Sequence, residues 1–340
     1  GRATRRRRIG VICTCAVLVA GGIAAAIVSI ADGNSRTDLA TGGSEEADTA
    51  SGTWRPLAPS PLTARDQGVA VWTGSAVVIA GGSDTTPCPA DAGVVITRSI
   101  DSAALGQTMS YNAYLPPDWC HQADLPLLVM LHGLTGDHTD WVNKGHLDQA
   151  ADALILAGEI KPLVILMPDA DDSFYVDGPV GDYETYVVDD LIGAVDAEFP
   201  TAATRDSRFI GGLSMGGYGA LYLGLRHPDL FSAIGAHSPA ILRPEDAPFW
   251  LYGPDKALFA ERDIVSLINR DGWPPHMRLW VDIGASDSLM RGVYNLFGSL
   301  FGQPLPAFEG HVWPGVHDWS YWSRHAPDYL RFYMGVGEGR

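Results

Sequence analysis

Two hydrophobic periods alternate along the chain from Gly93 to its end. Short apolar runs typical of strands are separated by longer stretches in which apolar residues recur at helical spacing. The strands are predicted at 94–100, 107–115, 125–131, 163–167, 208–212, 233–237, 278–283 and 307–313. The helices are predicted at 147–157, 183–199, 218–225, 289–301 and 319–332. Strands that alternate with helices indicate an α/β domain, in which right-handed crossovers build a mainly parallel central sheet with helices on both faces.

The apolar runs also distinguish the centre of this sheet from its edge. The run 125–131 is continuously apolar, as expected of a strand that is buried on both faces. The first two strands, 94–100 and 107–115, are expected to pair with each other at the edge. The α/β domain is therefore predicted to span residues 93–336, a usual length for one such fold.

The N-terminal pattern is different. Residues 1–8 form a basic tail with five arginines, and residues 9–30 follow as 22 uncharged residues rich in Val, Ile, Ala and Gly. A helix of this length spans a bilayer core of about 30 Å, and the positive-inside rule leaves the arginines in the cytoplasm. We therefore expect a transmembrane anchor, with a cleaved signal peptide as the alternative. Both interpretations place the rest of the chain outside the cytoplasm.

Two further segments precede the α/β domain. Residues 31–53 are rich in Gly, Ser, Thr, Asp and Glu and are predicted to be a flexible linker. Residues 54–92 resemble one kelch-type repeat, because an apolar strand at 77–80 closes on Gly81 and Gly82. A propeller needs several repeats, and the sequence contains no second copy. We expect a hairpin packed on the main domain, and the alternative is a binding element.

Charge and cysteine content limit the partners and the compartment. Without the five arginines of the basic tail, 18 basic residues face 40 acidic ones, a net charge of −22. A body this acidic repels phosphate backbones, so no nucleic-acid partner is expected. Cys13 and Cys15 are expected to pack as small residues in the apolar segment. Cys88 and Cys120 would form a disulfide in an oxidising compartment, and the alternative is two unpaired thiols.

The candidate chemistry centres on Ser214, which lies between Gly212 and Gly216 in the pattern GxSxG. A strand-like run precedes the pattern and a helix-like run follows it, which is the context of a sharp turn that presents the serine hydroxyl above the sheet. Flanking glycines leave room where a Cβ would collide with the neighbouring strand or helix. Ser214 is therefore the predicted nucleophile, and a structural Gly-rich turn is the alternative.

A serine nucleophile needs a base to take its proton and an acid to orient that base. Asp287 lies in the loop after the seventh predicted strand and is favoured as the acid over Asp282, which is inside that strand. His317 lies in the loop after the eighth strand and is favoured as the base over His311, which is inside the strand. His325 falls in the final helix, where a packing or surface role is expected.

The developing oxyanion needs backbone N–H donors, and two are predicted. One belongs to Met215, the residue after the nucleophile. The other belongs to Leu134, in the Gly-flanked turn that follows the strand 125–131. His132 is expected to orient this turn rather than to react. No CxxC motif or histidine-rich cluster is present, so neither a metal nor a cofactor is predicted.

Six segments together resemble the Putative esterase family of α/β-hydrolases, which includes feruloyl and acetyl esterases, S-formylglutathione hydrolases and mycolyltransferases. The segments are 131–136, Asp140 with Trp141, 167–169 with 172–175, 212–220, 284–288 and 317–322. The resemblance covers residues 93–336 and implies an α/β-hydrolase fold, which the transmembrane helix expected at residues 9–30 precedes. It also implies an enzyme that passes an acyl group through a Ser214 ester to water or to another hydroxyl.

Three functions remain open. A carboxylesterase outside the cytoplasm is favoured, since an exported chain is not expected to be a cytosolic S-formylglutathione hydrolase. The first alternative is an acyltransferase that acts on a cell-envelope sugar or lipid. Mycolyltransferases, however, generally have Glu as the acid and differ from this chain after the nucleophile, at Gly217 and Tyr218. The second alternative is a non-catalytic surface-binding protein.

The residues that would contact a substrate are less clearly marked. Four aromatic residues are candidates for the wall of an acyl or aromatic pocket, and the alternative for each is a place in the core: Trp141, Tyr175, Trp319 and Trp322. The acidic run 169–172 is expected to cap a turn, and the alternative is that it orients a sugar. The expected partners are a small-molecule or cell-envelope ester and, through residues 9–30, the membrane; no oligomeric state is predicted.

Overall fold

The structure is a computed structural model that describes residues 15–20, 23–28, 69–72, 77–80, 86–254 and 256–336. These residues belong to two units, divided between Thr86 and Pro87. The first unit contains two antiparallel strand pairs, β1 with β2 and β3 with β4. The four strands are β1 Cys15–Ala20, β2 Ile23–Val28, β3 Val69–Trp72 and β4 Val77–Ala80.

The structure describes only some of the residues for which N-terminal elements were predicted. Where residues 9–30 are described they form the strands β1 and β2 and not the predicted helix, since Val and Ile are as compatible with a strand as with a membrane span. The rest of that segment, the basic tail 1–8 and the linker 31–53 lie outside the described residues. The kelch-like stretch contributes the hairpin of β3 and β4. In the described part of the chain, no helix is long and apolar enough to cross a membrane.

The second unit is built on ten further strands. Eight of them form one sheet, and β9 and β10 form a separate short hairpin. In chain order they are β5 Val94–Ser102, β6 Gln107–Leu115, β7 Leu127–Leu131, β8 Val164–Pro168, β9 Asp177–Gly178, β10 Gly181–Asp182, β11 Arg208–Leu213, β12 Ala233–His237, β13 Arg278–Gly284 and β14 Phe308–Trp313.

The order of strands across the large sheet is β14-β13-β12-β11-β7-β8-β6-β5. The six strands from β14 to β8 are parallel, and the last two continue the sheet in antiparallel orientation. The prediction of a mainly parallel sheet is confirmed, and the two strands expected to pair at its edge do so. The carboxyl ends of the parallel strands therefore share one edge, where ligands bind in open α/β sheets.

Ten α-helices accompany these strands in the described residues. They are α1 Asp140–Asn143, α2 Leu147–Leu156, α3 Tyr183–Thr185, α4 Ile192–Glu198, α5 Met215–Arg226, α6 Phe249–Tyr252, α7 Lys256–Arg262, α8 Ile264–Asp271, α9 Met290–Leu300 and α10 Trp319–Tyr333. A π-helical segment, Tyr186–Leu191, joins α3 to α4, so the helix predicted at 183–199 contains one stretch of wider turns. No helix was predicted from the sequence in the region of α6, α7 and α8.

The core lies on both faces of the sheet. Along β7, Leu127, Val129 and Leu131 pack in one apolar cluster, and Leu128 and Met130 pack in the other. This alternation explains why the sequence of β7 is continuously apolar. Residues of α4, α5 and α9 belong to the first cluster, whereas residues of α2 and α10 belong to the second. Because the sheet is buried on both faces, its carboxyl edge is rigid and positions the loops that carry the candidate site residues.

A disulfide joins Cys88 to Cys120. It connects the segment before β5 to a 3-10 turn at Trp119–His121, which follows β6. The indole N–H of Trp119 also donates to the carbonyl oxygen of Pro87, 3.0 Å away. The pairing considered from the sequence is thus formed, and it fastens the start of the α/β unit to its edge strands.

Candidate active site

Ser214 lies between the end of β11 and the start of α5. Its backbone dihedrals, φ 55° and ψ −115°, are unusual for a residue with a side chain. The Ser214 N–H donates to the carbonyl oxygen of His237 over 2.9 Å, which holds the turn against β12. A strained turn of this kind presents the serine hydroxyl at the carboxyl edge of the sheet.

Close backbone packing supports this turn. A Cβ atom on Gly216 would lie 2.5 Å from the carbonyl oxygens of both Leu131 and His132, so only glycine allows α5 to begin directly against the end of β7. On the other side, a Cβ atom on Gly133 would lie 3.5 Å from the Cβ of Ser214. The turn after β7 therefore lies beside the serine.

Ser214, His317 and Asp287 are connected by hydrogen bonds. The Nε2 atom of His317 lies 2.9 Å from the Oγ of Ser214, and its Nδ1 atom lies 2.8 Å from Oδ2 of Asp287. The Asp287 side chain is fully buried, and its other oxygen accepts the Leu289 N–H at 2.8 Å. A carboxylate facing Nδ1 favours the tautomer with the proton there, which leaves Nε2 free to accept the serine proton.

Backbone hydrogen bonds join the loop that carries Asp287 to the loop that carries His317. The Ala285 N–H donates to the oxygen of Trp313 at 2.7 Å, and the Ser286 N–H donates to the oxygen of Gly315 at 2.9 Å. The acid and the base are therefore held by one connected stretch of backbone, which fixes their separation.

The other candidates considered from the sequence lie elsewhere. Asp282 is fully buried inside β13 and binds the Nδ1 atom of His237 at 2.6 Å. His311 packs against the rings of Trp280 and Trp313, at centroid distances of 4.2 and 4.4 Å. His325 in α10 stacks on the Trp313 ring at a centroid distance of 4.0 Å. No hydrogen bond links these three to Ser214 in the described residues.

The turn after β7 contains Leu134, and the loop after β8 holds this turn in place. The Oδ1 atom of Asp172 accepts the Thr135 N–H at 2.6 Å. His132 Nε2 accepts the Ala170 N–H at 3.0 Å, so the ring carries its proton on Nδ1 and donates it to the Gly133 oxygen at 2.8 Å. His132 thus orients the turn, and Asp172 of the acidic run holds it, which agrees with the turn-capping role expected of that run.

Two backbone donors face this region without a partner. Neither the N–H of Leu134 nor that of Met215 forms a hydrogen bond with any described residue. Unpaired N–H groups at the start of a helix and in an adjacent turn are suited to bind a negatively charged oxygen. The two predicted donors are therefore both available beside Ser214.

The four aromatic candidates for a substrate wall are mostly buried. Trp141 donates its indole N–H to the Leu131 oxygen at 2.9 Å, and the hydroxyl of Tyr175 donates to the His132 oxygen at 3.0 Å. Trp322 packs its ring edge-on to His317 at 4.9 Å, and only Trp319 is partly exposed. These side chains pack against the segments that carry the candidate active-site residues.

A cavity of about 470 Å³ begins at the turn after β7. Its lining comprises Thr135, Gly136, Asp171, Asp172, Ser173, Val180, Tyr183 and Trp250. Burial and the neighbouring carboxylate of Asp171 raise the pKa of Tyr183, whose hydroxyl donates to that carboxylate. Trp250 comes from α6, a region without a predicted helix, and no motif or spacing in the sequence marks it.

One group in the described residues has the composition of a metal site. The ligand atoms of Cys88, Asp118, Cys120 and His121 lie within 4.8 Å of one another. The two cysteines are joined in the disulfide, and a disulfide sulfur is not a thiolate ligand. The hydrogen-bonded site at Ser214 involves none of these residues.

The model of the family described as Putative esterase matches residues 102–333. The chain belongs to this esterase family. This confirms the resemblance inferred from the sequence motifs, and the protein is a serine ester hydrolase with an α/β-hydrolase fold.

Individual relatives agree with the family. An endo-1,4-beta-xylanase/feruloyl esterase from Xylanibacter ruminicola is 30% identical over 155 residues, 43% of this chain and 21% of that protein. This chain therefore spans about a fifth of that relative. An acetyl esterase from Caldicellulosiruptor saccharolyticus is 27% identical over 267 residues, 70% of this chain and 97% of that protein. A solved ferulic acid esterase superposes with a TM-score of 0.65 at 26% identity, covering 72% of this chain and 98% of that one.

Proposed function

We propose that this esterase is a carboxylesterase that acts outside the cytoplasm through an acyl-Ser214 intermediate. The observation that carries the proposal is the hydrogen-bonded series Ser214, His317 and Asp287, with distances of 2.9 and 2.8 Å at the two ring nitrogens. The order of the three residues along the chain is the one used by α/β-hydrolases, in which the acid and the base follow the nucleophile.

The first half of the reaction forms the acyl-enzyme. Ser214 Oγ attacks the ester carbonyl carbon while His317 Nε2 takes the hydroxyl proton, and the Asp287 carboxylate stabilises the resulting imidazolium. The carbonyl oxygen becomes negatively charged and is bound by the N–H groups of Leu134 and Met215. The tetrahedral intermediate collapses as His317 returns the proton to the departing alcohol oxygen, which leaves an ester on Ser214.

The second half releases the acyl group. His317 takes a proton from a water molecule, whose oxygen attacks the Ser214 ester through a second tetrahedral intermediate. Collapse of this intermediate expels the serine oxygen, which recovers its proton from His317, and the free acid leaves. A hydroxyl of a sugar or lipid in place of water would give acyl transfer by the same steps.

The cavity beside the turn after β7 is the proposed place for the acyl or alcohol group of the substrate. Trp250, Val180 and Tyr183 give it apolar and aromatic surface, and Thr135 connects it to the oxyanion donors. The named relatives are feruloyl and acetyl esterases, so small acyl esters of these two kinds are the proposed substrate class.

The proposed location depends on the N-terminal sequence and on the disulfide. A basic tail before 22 uncharged residues is the pattern of an export or anchor segment. The Cys88–Cys120 disulfide is typical of proteins in oxidising compartments. Fusion of alkaline phosphatase to the C-terminus of the full chain tests this location, because that reporter is expected to be active only after export. An inactive but intact fusion would contradict it.

The catalytic proposal is tested by the variant Ser214→Ala. Hydrolysis of p-nitrophenyl acetate is expected to fall by about 10⁶-fold in kcat, since removal of a serine nucleophile removes the acyl-enzyme route. A fluorophosphonate probe should label the wild-type protein and not the variant. Ser299→Ala is the control serine variant, because Ser299 donates to the Leu296 oxygen within α9 and has no contact with His317 or Asp287 among the described residues. Equal activity of the two variants would refute the assignment of Ser214.

A further inference from the structure

We propose that Arg262 is a positioning residue that joins two walls of the cavity beside the turn after β7 and thereby determines which esters the enzyme accepts. The inference rests on the proposed function, because it treats this cavity as the place of the acyl or alcohol group. It concerns a residue that lies outside the hydrogen-bonded series at Ser214.

Arg262 is a buried cation whose hydrogen bonds go to backbone oxygens. It is the last residue of α7, and 8% of its surface is exposed. Its Nη1 atom donates to the oxygens of Leu251 at 2.9 Å and Trp250 at 3.3 Å, and its Nη2 atom donates to the oxygen of Asp177. It forms no ion pair with any described residue. A buried guanidinium is costly unless it is well hydrogen-bonded, so these three carbonyl contacts are what retain it inside the protein.

The three carbonyl groups belong to the two cavity walls. Trp250 and Leu251 lie in α6, a helix of four residues whose carbonyls have few partners of their own. Asp177 begins the β9–β10 hairpin, which carries Val180 in the connection between its strands. Both Trp250 and Val180 line the cavity. A single guanidinium therefore fixes the distance between the helix wall and the hairpin wall.

Arg262 is also connected to the helix that begins at the nucleophile. Its own carbonyl oxygen accepts the hydroxyl proton of Tyr218, a buried residue in the first turns of α5, at 2.6 Å. The cavity walls are thus held in register with Ser214 through α5. A shift of either wall would change the position of a bulky ester relative to Ser214 but would leave room for a small one.

Lysine cannot replace these contacts. A guanidinium presents several N–H groups in a planar fork, whereas an ammonium group is a single donor atom that cannot reach carbonyls on both sides. Arg262→Lys keeps the charge and loses the bridge. Arg208→Lys is the matched control, since Arg208 is equally buried but binds the Asp196 carboxylate at 2.5 Å, at the start of β11 and away from the carboxyl edge.

The experiment compares esters that differ in size. Values of kcat and KM are measured for p-nitrophenyl acetate, p-nitrophenyl hexanoate and 1-naphthyl acetate, which enlarge either the acyl or the alcohol side. In Arg262→Lys, KM for at least one larger ester is expected to rise by about tenfold relative to p-nitrophenyl acetate, the scale of a small change in a binding pocket. In Arg208→Lys the ratios should stay within about twofold of wild type, because a lower folded fraction affects all esters equally.

Thermal unfolding of each variant distinguishes a change of specificity from a loss of fold. If Arg262→Lys does not fold, Trp250→Ala removes one wall directly and must change the same ratio. Unchanged ratios in a folded Arg262→Lys protein, or in Trp250→Ala when the first variant fails to fold, overturn the inference while leaving the esterase proposal intact. A wild-type protein without activity on any of the three esters would overturn the proposed function itself.

Discussion

Two histidine–aspartate pairs lie at the carboxyl ends of neighbouring strands, and only one of them contacts Ser214. His317 and Asp287 are 2.8 Å apart in loops, and 27% of the histidine side chain is exposed. His237 and Asp282 are 2.6 Å apart at the end of β12 and in β13, and both side chains are fully buried. The same two chemical groups are therefore placed in very different surroundings.

The third partner of each pair explains the difference. His317 presents its other ring nitrogen to the hydroxyl of Ser214, and both residues are partly exposed. His237 presents the same atom to the hydroxyl of Tyr333 at 3.2 Å, and Asp282 also accepts the indole N–H of Trp280 at 2.7 Å. The buried pair consequently lies in a closed hydrogen-bond network. Pairing with an aspartate alone does not make a histidine a base; access to a reacting group does.

The largest expected effect is that of Asp287→Asn. An asparagine would present an N–H to Nδ1 and favour the wrong ring tautomer, so kcat for p-nitrophenyl acetate should fall by about 10⁴-fold with little change in thermal stability. Asp282→Asn, compared per mole of folded protein, should retain activity within about tenfold, because the network around Asp282 does not reach the substrate. Similar losses of kcat in the two variants would show that the two histidine–aspartate pairs do not differ in their role in the reaction.

The next effect is on stability. Asp282→Asn should lower the free energy of unfolding in urea by about 1–3 kcal/mol, because an asparagine amide cannot accept all the hydrogen bonds that the buried Asp282 carboxylate makes. The same measurement on Asp287→Asn should give a smaller loss, because the partner His317 is partly exposed and can be hydrated. An unchanged urea midpoint in Asp282→Asn would show that the buried pair does not stabilise the fold.

A smaller effect is expected at Asp172, whose side chain holds the turn after β7 that contains the Leu134 donor. Asp172→Ala removes the acceptor of the Thr135 N–H, so the Leu134 donor should be less well placed and kcat should fall by about tenfold, less than for a complete loss of an oxyanion donor. Asp172→Asn keeps an oxygen acceptor and is the control. A tenfold loss in both variants would indicate that the negative charge, and not the hydrogen bond, is what matters.

The smallest effect concerns a third pair, His227 with Glu184. Burial alone would raise the pKa of Glu184, but hydrogen bonds from His227, Arg226 and Tyr222 outweigh it and lower the pKa from 4.5 to about 2. A depressed carboxylate pKa stabilises the fold at pH values above 4.5, and this contribution is lost as the pH falls toward 2. The stability difference between wild type and Glu184→Gln, measured by urea unfolding, should therefore shrink between pH 4.5 and 2. A difference that stays constant from pH 4.5 to 2 would contradict this assignment.

Much of the fold was readable from local patterns. Each of the eight predicted strands from residue 94 onward corresponds to a strand of the large sheet, and β7 and β8 were the clearest because a strand buried on both faces is apolar without interruption. The region between β12 and β13 was not readable in this way. Helices α6 and α7 are only four and seven residues long, so neither extends over enough turns to show a helical period.

The candidate site was likewise predictable from the sequence only in part. The pattern around Ser214 and the order of acid and base led to three side chains that the structure brings within hydrogen-bond distance. The aromatic candidates for a substrate wall were poorly distinguished, because a tryptophan below an active site and one beside a substrate have similar sequence surroundings. Trp250 and Arg262 act through contacts with segments distant in the chain, and no spacing reveals such contacts.

The sequence by itself determined the α/β class, the esterase family and the choice of Ser214, since these depend on hydrophobic period and on residue order along the chain. Only the tertiary structure decided that Asp282 faces the buried His237, whereas the loop positions of Asp287 and His317 had already favoured that pair from the sequence. It also decided the shape of the cavity, where a buried arginine joins a helix and a hairpin that are far apart in the chain. Such long-range contacts are set by packing of the whole domain, which a local pattern does not record.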